Sequence, residues 1–193
     1  MNQTPSINKT KATEAIAVIL QLHQKPMILS RLLKILYFVD RLCLAQSNRS
    51  LTNDNYLCKK SGLIPQQIPD LVLQLQLLEI LSTADLGLGY IKLNRAPQTK
   101  TLSISEQEII RQVYHQKKHL NPFNLLEWQY DLWFIRNHLK QKRSSFLTPV
   151  DIMVGLGKTK AEIKAYLNNR RPRKSKSQKS TKAHEIALAP GNV

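Results

Sequence analysis

The sequence predicts a mainly α-helical fold: a compact multi-helix domain with a small β-hairpin and a disordered basic tail. Apolar residues recur at helical spacing, strand-like segments are few and short, and residues 170–182 contain no apolar residue except Pro172. A chain of 193 residues, 42% hydrophobic and only 6% aromatic, can bury one largely aliphatic core. We therefore expect a flexible lead-in over residues 1–10, one helical domain over 11–169 and a tail over 170–193.

The first helix is expected to start at a Thr10 or Thr13 cap and to run to about His23, where Pro26 interrupts it. The strongest helix spans about residues 28–46, because apolar side chains recur every three or four positions. These side chains are Leu32, Ile35, Leu36, Val39, Leu42 and Cys43. Residues 47–56 carry turn-forming residues without helical period, which indicates a structured loop.

After this loop, Ser61-Gly62 ends a short segment. Pro65 or Pro69 opens a helix to about residue 81, and residues 81–94 predict a hairpin around a turn at 85–89. A capping-box pair, Ser103 and Glu106, predicts a helix to about residue 118. Further helices are expected over 121–142, 149–155 and 159–168, since each begins at a capping residue or a proline.

Charge is distributed unevenly along the chain. The 29 basic and 13 acidic residues leave a net charge of +16, and residues 101–193 contribute 17 basic against 7 acidic groups. Residues 170–182 contain seven basic residues and no acid, a composition that cannot bury enough apolar surface to fold. Such a field attracts acidic proteins and nucleic acid.

The sequence shows neither a secretory signal nor an apolar stretch of about 20 residues, the length a membrane span requires. Its two cysteines, Cys43 and Cys58, stand beside apolar residues and do not suggest a disulfide framework. These features predict a reducing, cytoplasmic location and no membrane partner.

The segment from Arg31 to Val72 resembles the Panacea domain, the antitoxin domain of SocA-type proteins. The resemblance rests on the helix segment Leu36-Tyr37-Phe38-Val39-Asp40 and on the loop from Arg49 to Tyr56. In that loop Ser50 stands where proline is common in the family, and Asn53 where glycine is common. Residues 102–116 are similar to the "Leu-Ser-x-x-Glu" helix that follows the hairpin, whereas the family's histidine is missing from the segment 127–133.

This resemblance implies a compact helical domain with a small β element that neutralises a toxin by binding it directly. We therefore expect an antitoxin-like protein with a cognate toxin as its partner, which acts without catalysis and without a cofactor. In the SocA type the domain also delivers its toxin to a protease, so a further hypothesis is that this chain acts as a proteolytic adaptor. The sequence does not set the oligomeric state.

Candidate partner-binding residues lie in the loop, on the preceding helix and at the two tryptophans. They are Tyr37, Asp40, Arg41, Arg49, Thr52, Asn53, Asp54, Tyr56, Trp128 and Trp133. Several of them have a structural alternative. Thr52 and Asp54 suit local backbone capping, and Asp40 suits pinning the loop to the helix through a basic residue. The tryptophans lie five positions apart and cannot point the same way on one helix, so one is expected in the core.

The C-terminal part suggests nucleic-acid binding as the alternative function. Its candidate residues are Lys158, Lys160, Lys164, Arg170, Arg171, Arg173, Lys174 and Lys176. The segment Gly155 to Ala161 superficially resembles a phosphate-binding loop, but Ile152 occupies the position that requires the first glycine. A glycine-containing turn between two helices is the better interpretation, and it leaves phosphate contacts open to the neighbouring cations.

The sequence gives little indication of metal binding or catalysis. His115 and His119 share a helix face at a spacing that suits a metal, but no nearby residue completes a ligand set, so we predict no metal site. Carboxylates are scattered, and the serines occupy turns and caps. The sequence thus favours a binding protein over an enzyme.

Overall fold

The computed structural model describes residues 7–59, 62–84, 89–97, 100–121, 124–125 and 146–170. Within these residues the chain forms six helices and six short strands. The helices are α1 (Lys9–His23), α2 (Leu29–Ser47), α3 (Ile68–Leu77), α4 (Ile104–Lys117), α5 (Pro149–Gly155) and α6 (Lys160–Arg170). The strands are β1 (Met27–Ile28), β2 (Tyr56–Lys59), β3 (Gly62–Pro65), β4 (Leu81–Thr83), β5 (Tyr90–Leu93) and β6 (Phe146–Leu147). The predicted mainly α fold is confirmed.

Helix α1 begins earlier than the sequence suggested. Its N-cap is Asn8, whose side-chain oxygen accepts a hydrogen bond of 3.2 Å from the Lys11 backbone N–H, so neither Thr10 nor Thr13 is the cap. Ile7 is only 8% exposed, and the Asn8 N–H donates to the carbonyl of Thr52. The prediction of a flexible lead-in is therefore wrong for residues 7–10, which belong to the packed fold, while residues 1–6 lie outside the described residues.

Helix α2 occupies the centre of the core, as its apolar stripe predicted. Leu32, Ile35, Leu36 and Val39 are fully buried, because α2 is covered by α1, α4, α5 and β3. The helix ends at Ser47 and is capped by Asn48, which adopts a left-handed conformation with φ of 53° and donates its N–H to the Leu44 carbonyl.

Two small antiparallel sheets flank the helices. The first has strand order β1-β5-β4 and contains the predicted hairpin, with Thr83 paired to Ile91 and Leu81 to Leu93. The second, of order β3-β2-β6, was not predicted, because its strands are two to four residues long and lack clear alternation. Tyr56 pairs with Pro65 on one side and with Leu147 on the other.

Helices α3 and α4 begin where the sequence indicated. Pro69 lies in the first turn of α3, and Ser103 and Glu106 form the predicted capping box of α4. Helix α3 ends at Leu77 instead of about residue 81, since Glu79 takes a φ of 55° and the chain turns into β4.

The C-terminal described residues confirm two more helix starts and the turn between them. Thr148 caps α5, and Thr159 accepts a hydrogen bond from the N–H of Glu162 in the first turn of α6. Gly157 joins the two helices with a φ of 73°, a conformation that side chains disfavour. Asn121 accepts a bond from the N–H of Asn124, as expected of a helix cap. The rest of the predicted 121–142 helix and the tail after residue 170 lie outside the described residues.

Candidate partner-binding surface

The loop between α2 and β2 is held by one buried carboxyl group. Asp40, with no exposed surface, accepts three hydrogen bonds at Oδ1, from the Ser50 hydroxyl and from the backbone N–H groups of Leu51 and Thr52, at 2.7–2.9 Å. Its Oδ2 accepts the hydroxyls of Thr52 and Tyr56, the latter at 2.5 Å. Asp40 thus fixes the loop to α2, as expected, but through hydroxyl and amide groups instead of the predicted basic residue.

A second buried carboxyl, Asp54, connects the loop to the start of α3. Its Oδ2 accepts hydrogen bonds from the backbone N–H groups of Gln67 at 2.8 Å and Ile68 at 3.0 Å. These N–H groups lack partners within the helix, so Asp54 caps α3 from a distant part of the chain. Burial raises the pKa of Asp54 and outweighs the opposing effect of its three backbone hydrogen bonds.

Tyr37 and Tyr56, both within the Arg31–Val72 segment, belong to the interior. Tyr37 contacts Phe38 and Tyr56 edge to face, with ring centroids 5.4 and 5.1 Å apart. Burial raises the pKa of Tyr37 and that of Tyr56, and the carboxyl of Asp40 adds to the second shift. Both hydroxyls therefore stay protonated at neutral pH.

These positions correct part of the predicted partner-binding set. Tyr37, Asp40, Thr52, Asp54 and Tyr56 are each at most 1% exposed, so a partner cannot touch their side chains in this conformation. The structural alternative is confirmed for Thr52 and Asp54, whose side chains accept hydrogen bonds from the loop backbone. Their role is to shape the loop from inside.

The outer face of the same loop borders an open cleft of about 460 Å³. Arg49 is exposed there, Ser50 and Asn53 are half-buried, and α1, α4 and α6 supply the other walls. Asn53 has a φ of 57°, which explains how asparagine serves where the family commonly has glycine. The remaining lining residues are Asn8, Lys11, Asn48, Glu106, Tyr166, Asn168 and Asn169.

Side-chain amides dominate this surface, which we call the amide cleft. Five asparagines line it, and each amide offers both donors and an acceptor. Asn48 donates to Glu162 at 3.1 Å, and its own Oδ1 is buried without a hydrogen-bond partner among the described residues. The arrangement suits recognition of a polar partner surface, such as exposed backbone or amide groups.

The charged residues of the amide cleft are partly paired. Lys11 and Glu106 form an ion pair at 2.5 Å across α1 and α4. Burial opposes ionisation of Glu106, but hydrogen bonds from Lys11 and Ser103 outweigh it and lower its pKa. Arg49 is exposed and adds a positive charge to the lining of the cleft.

The other candidate residues do not converge on the cleft. Arg41 is half-buried on α2 and is not among the residues that line it, and Trp128 and Trp133 lie outside the described residues. The cleft also contains residues that the sequence did not suggest, from α1, α4 and α6. Glu106 was recognised only as a cap, and no sequence signal connects Asn8 with Tyr166, because their proximity depends on helix packing.

The nucleic-acid candidates are similarly divided. Lys158 donates to the carbonyl of Ala45 at 2.8 Å and pairs with Glu162 at 3.3 Å, so its charge serves the fold. Lys160 and Lys164 are exposed on α6, which ends at Arg170. Arg171, Arg173, Lys174 and Lys176 lie outside the described residues.

A comparison with protein families identifies the domain. The family model for the antitoxin SocA-like Panacea domain matches residues 32–133, more than half of the chain. The chain belongs to this family. Comparisons with curated proteins and with solved structures found no match. Family membership indicates, in general terms, a role in a toxin–antitoxin system with a toxin as partner.

The matched Panacea region contains the carboxyl groups that organise the loop and only part of the amide cleft. Asp40, Asp54, Arg49 and Asn53 lie within the match, whereas α1 and α6 flank it. Among the described residues, no helix is both long and apolar enough to cross a membrane.

Proposed function

We propose that this Panacea protein is an antitoxin that neutralises a cognate toxin by direct binding. The observation that carries the proposal is that the family's own loop forms one wall of an open polar cleft while its interior is fixed by Asp40 and Asp54. The protein acts as a rigid surface that occludes the toxin, without bond-making chemistry.

Rigidity supports this mode of action. The loop of residues 48–56 is held by five hydrogen bonds to Asp40, and Asp54 ties it to α3. A loop that is ordered before binding loses little conformational entropy when its partner arrives, so more of the contact energy appears as affinity. The contacts themselves come from Arg49, Asn53 and the exposed amides of α6.

Charge suggests the kind of surface that this loop meets. The chain carries a net charge of +16, and Arg49 places a positive group at the mouth of the cleft. A toxin with an acidic patch around its active site would be drawn to this face and would associate faster at low salt. Association measured at two salt concentrations tests this part of the proposal.

The decisive experiment is co-expression with a growth inhibitor, which we expect to be encoded beside this chain. Wild-type protein is expected to restore growth, and Arg49→Glu to bind the toxin at least about tenfold more weakly and to fail in rescue. Arg111→Glu, a charge reversal at an exposed position of α4 that does not line the cleft, is the matched control.

Folding of each variant is checked by circular dichroism and urea titration. A well-folded wild-type chain that neither rescues growth nor binds the inhibitor contradicts the proposal. Equal loss of binding in both arginine variants would instead assign the effect to overall charge and reject the amide cleft as the contact surface.

Nucleic-acid binding is the second candidate function, favoured by the two exposed lysines of α6. Lys160 and Lys164 are one helical turn apart and precede the basic segment that starts at Arg170. We expect a complex in mobility shifts whose affinity falls steeply with salt and largely disappears when residues 170–193 are removed. Absence of a complex at physiological salt rejects it.

A further inference from the structure

Helix α3 exposes more apolar surface than a helix of its length should leave in water. Leu73, Leu77 and Leu78 are 59%, 85% and 58% exposed. On a helical wheel these leucines share one continuous exposed face with Asp70 and Gln74, while Leu71, Leu75, Ile68 and Val72 point into the core. Clustered exposed leucines of this kind are typical of an interaction site.

A groove adjoins this face and continues its apolar character. It has a volume of about 490 Å³ and runs between α1, α3 and the chain after β5, with Leu71, Leu75, Leu78 and Ile80 among its lining residues. Leu78 belongs to both features, so the exposed face and the groove form one surface. We call this combination the leucine groove.

Two cations border the leucine groove. The Arg95 guanidinium donates to the Leu78 carbonyl at 2.8 Å, and Lys9 donates to the Gln74 side chain at 3.3 Å. Both residues are exposed and line the groove. Asp70 lies on the exposed face in the first turn of α3 and Glu79 follows Leu78, and neither acid lines the groove. On its groove side, the apolar surface is therefore bordered by positive charge.

The leucine groove is separate from the amide cleft. The two share no lining residue among those described, and they approach the first turn of α1 from opposite flanks. Asn8 and Lys11 face the amide cleft, whereas Lys9, Thr10 and Thr13 face the leucine groove. This division is expected because successive residues of an α-helix are rotated by about 100° around its axis.

We propose that the leucine groove is a second docking surface, which binds an amphipathic helical segment of a protein partner whose apolar stripe is flanked by carboxylates. The leucines bury the stripe, and Lys9 and Arg95 pair with the flanking acids. A second copy of this chain is the less suitable occupant, because two molecules of net charge +16 repel each other. The inference does not depend on toxin neutralisation.

The test uses the full chain and two labelled synthetic peptides. Both carry leucines at every third or fourth position; one has glutamates on the opposite face and flanks, and the other has lysines there. Fluorescence anisotropy is expected to show binding of the glutamate peptide at least about tenfold tighter than that of the lysine peptide, with the preference reduced by salt.

Variants locate the binding on the protein. Leu77→Ser/Leu78→Ser is expected to weaken glutamate-peptide binding at least about tenfold, and Arg95→Gln severalfold. Ile104→Ser is the matched control, since Ile104 is 77% exposed at the start of α4 and does not line the groove. Leu77→Ser alone provides a variant at the most exposed position if the double variant is poorly folded.

Several results would overturn the proposal. Equal affinity for both peptides, absence of binding at millimolar peptide, or unchanged binding by the folded leucine variants would each do so. Sedimentation velocity tests whether a second copy of this chain occupies the leucine groove. A wild-type dimer that dissociates when the leucines are substituted would assign the face to self-association.

Discussion

The loop of residues 48–56 and helix α3 use polar and apolar residues in opposite ways. The loop is rich in polar residues, yet Thr52 and Asp54 are completely buried. Helix α3 is mostly apolar, yet Leu77 is 85% exposed. The two segments also touch, because Asp54 caps the first turn of α3.

The difference shows that side-chain polarity predicts burial only when hydrogen-bond partners are counted. A buried carboxyl is tolerated at residue 40 because five donors converge on it, and its neighbours are thereby fixed. Exposed leucines cost the monomer little but give a partner something to bury. In this protein the polar segment is a scaffold and part of the apolar helix is a surface.

Asp40→Ala should produce the largest loss of stability. The substitution leaves the N–H groups of Leu51 and Thr52 and the Tyr56 hydroxyl buried without their acceptor. We expect the free energy of unfolding to fall by about 3–4 kcal/mol. Urea denaturation followed by circular dichroism measures it, and a loss below about 1 kcal/mol would show that the loop is not held by this residue.

A pair of substitutions on α3 tests the exposed face directly. Leu71→Ala removes a side chain that is 5% exposed and should cost about 2–3 kcal/mol. Leu77→Ala, the same chemical change six residues later, should alter stability by less than about 0.5 kcal/mol. Comparable losses for both, measured by urea denaturation, would mean that Leu77 is covered in solution.

Tyr56→Phe isolates one hydrogen bond of the Asp40 cluster. The ring and its contact with Tyr37 are kept, while the donor 2.5 Å from Asp40 Oδ2 is removed. We expect a loss of about 1–2 kcal/mol, smaller than for Asp40→Ala because the carboxyl keeps its other donors. Tyr90→Phe on β5 is the control, expected to change stability by less than about 0.5 kcal/mol.

The smallest effect concerns acid stability. Backbone and side-chain hydrogen bonds from Thr159 lower the pKa of Glu162 to about 2, from an ordinary value of 4.5. A depressed carboxyl pKa stabilises the fold fully above the ordinary value, and this contribution is lost as the pH falls through the lowered one. The difference in melting temperature between wild type and Glu162→Gln should therefore be present at neutral pH and shrink below pH 4.5.

Asp54 contributes with the opposite sign. Its raised pKa means that protonation favours the folded state, so this contribution weakens as the pH rises through the raised value. Thermal scans of Asp54→Asn and Glu162→Gln across the acid range separate the stability contributions of the two carboxyl groups. A difference for Glu162→Gln that is independent of pH would contradict the assignment to its ionised form.

The local features of the fold were readable from the residues. The apolar stripe of α2, the Ser103–Glu106 capping box and the hairpin at 81–93 depend on residues that are at most 12 positions apart in the local pattern or pairing. The β3-β2-β6 sheet was missed because its strands are stabilised by each other and carry weak individual signals. The candidate loop was identified, but its accessible and buried residues were not separated.

By itself, the sequence determined the helical class, the position of the loop and the family, because periodicity, caps and motifs are local properties of the chain. Tertiary structure alone decided which loop side chains are buried, that Asp54 caps a helix 13 residues away, and that Leu73 and Leu77 remain outside. The physical reason is that burial depends on which surfaces meet. A polar group enters the interior where distant donors converge on it, and an apolar group stays outside where none of the elements that the structure describes covers it.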